Sequence, residues 1–110
     1  MVDRLFVYGT LAPGRPNEHV LAPLGGSWQP GSIRGRLLME GWGAIEGYPG
    51  IVLDEQGEEV AGLVFSAEGL GAFLPTLDEF EGVGYRRVVT SVQTKDGARV
   101  EAYVYELNAA

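Results

Sequence analysis

Three carboxylates fall within five residues in Leu77-Asp78-Glu79-Phe80-Glu81, and they do not face the same way. Leu70, Phe73, Leu74, Leu77 and Phe80 recur at helical spacing, so the window 68–82 is predicted to be a helix with one apolar face. At about 100° per residue, Glu79 lies about 155° from the centre of that face, Asp78 about 105° and Glu81 only about 45°. Glu81 therefore points toward the core or its rim. A carboxylate turned inward costs free energy unless it is paired or has a chemical task. Burial raises its pKa, and so does the negative end of a helix, where Glu81 falls. Both effects move it toward the range of a general base. Pro75 starts or kinks this helix, but residues 77–81 follow it and keep their mutual geometry. The competing arrangement has Glu81 fraying out after the last turn, solvated or paired with Arg86 or Arg87.

A second candidate lies near the start of the chain, in "FVYGTLAPGRPN" (6–17). An apolar strand stops at Gly9, and a loop with a Pro13-Gly14 turn follows. Either Gly9 only changes the chain direction, or the amides around it form a nest that holds a carboxylate. A Walker loop is excluded, because the Gly-Lys-Ser/Thr ending is missing.

The elements that must position these residues are mostly strands. Residues 4–8, 31–39 and 58–67 read as strands, and 41–52 is turn-rich with a short apolar end. Asn17 is placed to cap a short helix over 17–21. "RVVTSVQT" and "ARVEAYVYEL" flank Lys95-Asp96-Gly97, a strong hairpin signal. In the second arm Tyr103 and Tyr105 share one face and Val104 takes the other. No linker or repeat divides the sequence, so residues 1–110 are read as one domain. Strands with one main helix give an α+β fold, a small, largely antiparallel curved sheet or β-barrel flanked by helices. The 17 scattered glycines suit such curvature.

Composition narrows the chemistry. A net charge of −7 argues against nucleic acid or an anionic membrane as partner. There is no cysteine, so there is no thiol nucleophile and no thiolate metal site. His19 is the single histidine, which leaves little for a His-based metal site or a serine–histidine triad; it is read as a surface or helix-end residue. No apolar run approaches the roughly 20 residues of a membrane span. No secretory signal is seen, and the expected compartment is the cytoplasm.

Together these motifs resemble the gamma-glutamylcyclotransferase-like family. "FVYGTLAPGRPN" is similar to its strand and Tyr-Gly-Thr/Ser-Leu signature, "GYPGIV" (47–52) to its Tyr-Pro-Gly segment, "LDEFEGVGYRRV" (77–88) to its Leu-Asp-x-Phe-Glu-Gly block, and "YVY" (103–105) to its closing strand. The spacing is close to that of the short gamma-glutamylamine cyclotransferase branch. The resemblance implies a β-barrel flanked by helices, with a cavity where the Tyr-Gly-Thr-Leu loop meets the glutamate-bearing helix. It implies that the backbone of Tyr8, Gly9, Thr10 and Leu11 binds a gamma-glutamyl α-carboxylate, and that Glu81 is the proton acceptor. No metal or cofactor is implied.

The implied reaction is intramolecular. The substrate's α-amine attacks its own γ-carbonyl, releasing 5-oxoproline and a free amine, so part of the entropic barrier is already removed. Glu81 would take the amine's proton and return it to the departing nitrogen. Tyr105 is a further candidate, either with its hydroxyl aimed at the substrate or as a packed barrel tyrosine. Arg87 is expected to form an ion pair with Glu79 or Asp78. Glutathione is the less favoured substrate, because no basic cluster is evident for its second carboxylate. Two alternatives stand beside this enzyme. One is a non-catalytic binding module for an amino-acid-like carboxylate. The other is the same chemistry removing a gamma-glutamyl protecting group.

Overall fold

A computed structural model describes residues 3–9, 11, 13–15, 17–39 and 50–108. Strand β1 (Arg4–Val7) is buried at three successive positions, Leu5, Phe6 and Val7. Alternate residues of a strand face opposite ways, so such a run requires cover on both faces. The cover comes from two apolar clusters. Phe6, Ile33, Ile51, Val60, Val64, Val92, Ala102 and Val104, drawn from all six strands, line the inside of a barrel. Leu5, Val7, Phe65 and Tyr105 face the other way and pack with Leu11, Leu21 and the helix residues Leu70, Leu74 and Leu77.

The remaining strands are β2 (Ser27–Leu38), β3 (Gly50–Leu53), β4 (Glu58–Ser66), β5 (Tyr85–Thr94) and β6 (Arg99–Leu107), with helix α1 (Leu70–Glu81) between β4 and β5. The sheet order is β3-β2-β4-β1-β6-β5, and a further β2–β5 pairing closes it. Five strands thus form a barrel, and β3 is an addition to β2. All pairings are antiparallel except β1 with β6. Gly31 of β2 pairs with Gly62 of β4 on one side and Thr94 of β5 on the other, and Gly35 pairs with Glu58 and Leu53. Hence β3 and β5 occupy the same edge of β2, one after the other. Crowding fixes some of the glycines: a Cβ on Gly62 would stand 2.5 Å from the Val7 carbonyl oxygen and 2.6 Å from Phe6 Cζ.

The β5–β6 hairpin turns through Lys95–Gly97, where Gly97 takes φ +90°. Tyr103 and Tyr105 belong to the outer cluster and Val104 to the inner one, as alternation requires. At residues 17–21 the expected short helix is instead a 3₁₀ turn, Glu18–Val20, with a second at Ala22–Leu24, and the Asn17 side chain makes no capping hydrogen bond. Strand β2 begins four residues before the predicted start, at Ser27, because pairing with β4 extends from Gly35 back to Ser27. Among the described residues no helix is long and apolar enough to cross a membrane.

Candidate active site

Helix α1 carries its buried residues at Leu70, Leu74, Leu77 and Glu81. Glu81 stands where the repeat calls for another leucine. Pro75 lies inside the helix without ending it. The chain leaves the helix at Gly82, with φ 78°, whose N–H donates to the Asp78 carbonyl at 3.0 Å. Glu81 is thereby held as the last helical residue at 8% exposure, whereas Asp78 and Glu79 are exposed. Burial pushes the Glu81 carboxyl up to about 7. A group with that pKa exchanges protons readily near neutral pH.

Tyr8 ends the first strand's run and reaches across the fold. Its hydroxyl donates to the Tyr105 carbonyl at 2.8 Å and accepts the Ile51 N–H at 3.0 Å. Burial raises the Tyr8 phenol above its ordinary range, the Ile51 contact opposes this, and the charges of Tyr85, Glu81 and Glu106 add to the rise. The Tyr105 phenol is likewise raised, first by burial, then by its hydrogen bond to Asp78, with Glu81 contributing. Glu81, Tyr8 and Tyr105 therefore share one electrostatic neighbourhood, although they come from α1, the end of β1 and β6.

The other sequence candidates fall as follows. Leu11 is buried in the outer cluster, which also holds Leu70, Leu74 and Leu77 of the helix. Gly9 is half-buried, and a Cβ added there would meet nothing within 4 Å among the described residues. Thr10 lies outside the described residues, as do residues 47–49 of the Tyr-Pro-Gly segment. The Tyr105 hydroxyl donates to Asp78 Oδ1 at 2.7 Å. Arg87 grips the same carboxylate with two hydrogen bonds, Nε to Oδ1 at 2.9 Å and one terminal nitrogen to Oδ2 at 3.1 Å. Of the two acids expected for Arg87, Asp78 is its partner. Its guanidinium also lies 5.0 Å from the centre of the Tyr103 ring.

Sequence reasoning missed Glu106. This carboxylate is 5% exposed; Oε1 accepts from Arg86 at 2.8 Å, and Oε2 accepts the Leu53 N–H at 3.1 Å. Two signals could have found it. Glu106 shares a strand face with Ala102 and Val104, and the hairpin register sets it directly opposite Arg86. Among the described residues no group of three or more His, Cys, Asp or Glu side chains is placed to hold a metal ion.

The family model for gamma-glutamyl cyclotransferase, AIG2-like, matches residues 5–110. Among solved structures, YkqA from Bacillus subtilis is similar at 29% identity and a TM-score of 0.75. That match covers 98% of this chain and 36% of YkqA, so this chain spans about a third of that protein. An uncharacterised protein from Pyrococcus horikoshii is similar at 25% identity and TM-score 0.65, over 100% of this chain and 80% of the other. An AIG2-like protein from Mus musculus, at 24% identity, shares the fold with a TM-score of 0.73 over 98% of this chain and 78% of its own. No curated protein gives a significant match. The motif order, the barrel and the family match agree, and the chain belongs to the AIG2-like gamma-glutamyl cyclotransferase family.

Proposed function

We propose that this protein is a cofactor-independent gamma-glutamyl cyclotransferase acting on a small gamma-glutamyl amine or amide. The observation that carries this reading is Glu81, a buried carboxyl pushed up to about 7, whose charge contributes to the raised phenols of Tyr8 and Tyr105. The backbone of Tyr8, Gly9, Thr10 and Leu11 receives the substrate's α-carboxylate. Ionised Glu81 takes a proton from the α-ammonium. The freed amine attacks the γ-carbonyl carbon, a C–N bond forms, and the bond to the leaving nitrogen breaks. Glu81 returns that proton to the leaving nitrogen, and the second proton that the attacking nitrogen loses on becoming the lactam N–H goes to the same nitrogen, which departs as an ammonium. The products are 5-oxoproline and a free amine, and attack within one molecule keeps the entropic cost low.

The test is mass spectrometry of purified protein against a panel of gamma-glutamyl amines, amides and dipeptides, with Glu81→Gln in parallel. Wild type is expected to release 5-oxoproline, and the folded variant to be slower on the order of 10²-fold or more. Near-wild-type turnover by Glu81→Gln overturns the assignment of the base. No release from folded wild type across the panel overturns the reaction.

A further inference from the structure

Asp78 precedes Glu81 by three residues, one helical turn, and is tied to two other strands. Arg87 of β5 binds it through both oxygens, and the Tyr105 hydroxyl of β6 donates to Oδ1. Arg87 and Tyr105 are themselves direct cross-strand partners. A paired guanidinium–carboxylate fork fixes orientation as well as distance. The last turn of α1 is thus anchored to the hairpin at the point from which Glu81 projects.

We propose that Asp78, Arg87 and Tyr105 are positioning residues that hold Glu81 at its site and balance the charge one turn away from it. The proposal deepens the cyclotransferase reading and rests on it for the catalytic consequence. Residues three apart on a helix are neighbours, so an unpaired Asp78 carboxylate would oppose ionisation of Glu81. Arg87 cancels that charge and holds the Asp78 carboxyl below its usual range. The other titratable groups of this neighbourhood are Tyr8, Tyr85, Glu106 and Glu79. Tyr8 is bonded to Tyr105 and Ile51 backbone, Tyr85 opens β5, and Glu106 is paired with Arg86 on the opposite face. Glu79, also on α1, is exposed.

Two single variants must therefore act with opposite sign. Arg87→Gln leaves Asp78 unneutralised and raises the titration midpoint of Glu81. Asp78→Asn leaves Arg87 unneutralised and lowers it. The experiment is a carbon-13 NMR titration of glutamate side-chain carboxyls in the full chain, with Glu81 assigned through Glu81→Gln. Opposite shifts of about half a pH unit or more are expected, and the double variant should return toward wild type. Arg87→Lys keeps the charge and loses the fork. It should leave the midpoint nearly in place while lowering kcat more than it changes KM. Shifts in the same direction, or no shift in a folded variant, overturn the proposal. If Arg87→Gln does not fold, Asp78→Asn decides alone, since an unmoved or raised midpoint overturns it. The titration needs no turnover. Opposite shifts without 5-oxoproline release would uphold the clamp's charge balance and sink the cyclotransferase reading, whereas release without shifts would do the reverse.

Discussion

The Tyr8 hydroxyl lies between the Ile51 amide and the Tyr105 carbonyl, at 3.0 and 2.8 Å, and joins β3 to β6 across the end of β1. A phenylalanine would fill the same volume and leave both backbone groups without this partner. Tyr8→Phe is expected to lower stability by about 1–3 kcal/mol, as measured by urea unfolding. A variant as stable as wild type would mean that water replaces the hydroxyl at both groups.

Burial moves Glu81 from 4.5 to about 7. Between those values the folded chain holds a proton that the unfolded chain has released. Stability should therefore fall as pH rises from about 4.5 to about 7 and change no further above it. Glu81→Gln removes this dependence. The variant should match wild type near pH 4 and exceed it above pH 7 by something on the order of 3 kcal/mol. Denaturant unfolding at both pH values checks this, and equal stability at high pH would place the ionised carboxylate in contact with water.

Activity should run the opposite way with pH. The base must be ionised to accept a proton, so the acid limb of kcat is expected to have its midpoint near 7. A rate already flat from pH 5 upward would exclude Glu81 as the group that sets it.

Two glycines should respond differently to alanine. At Gly62 the methyl group meets the Val7 carbonyl and the Phe6 ring, and Gly62→Ala is expected to destabilise by about 1–3 kcal/mol. At Gly9 it meets nothing within 4 Å among the described residues. Gly9→Ala should be neutral or stabilising by up to about 1 kcal/mol, yet it should raise KM if a substrate carboxylate docks on that backbone. Thermal unfolding and steady-state kinetics on the same preparations separate the two effects.

Removing the Glu106 charge should weaken the fold even though its arginine is largely exposed. Arg86 is 62% exposed at the side chain and Glu106 only 6%. Glu106→Gln is expected to cost about 1–3 kcal/mol, because a neutral amide serves both Arg86 and the Leu53 N–H poorly. No loss in chemical denaturation would contradict this.

Period-based reasoning succeeded where one face is apolar and the element is regular. The α1 wheel singled out Glu81, and alternation sorted Tyr103 and Tyr105 from Val104. The barrel was legible as a class, but its closure rests on the β2–β5 pairing at Gly31 and Ser32, a long-range contact without a local signal. The start of β2 at Ser27 was hidden for a related reason: Pro30, just ahead of the predicted start, is a poor strand residue until β4 supplies pairing partners. Asn17 shows that a favourable capping residue does not ensure a cap where the turn is 3₁₀. Glu106 was legible in principle, since the hairpin register places it opposite Arg86, but that inference needs two strands considered together.

The attachment of β3 outside the closed barrel has a consequence for self-association. A strand added to a barrel exposes outward amides that could template another chain. Here the Ile51 N–H is taken by Tyr8 and the Leu53 N–H by Glu106. Two alternate donors of this short strand are already occupied by side chains of the same molecule. The hydrogen bonds that fasten β3 also blunt it as a nucleus for edge-to-edge aggregation.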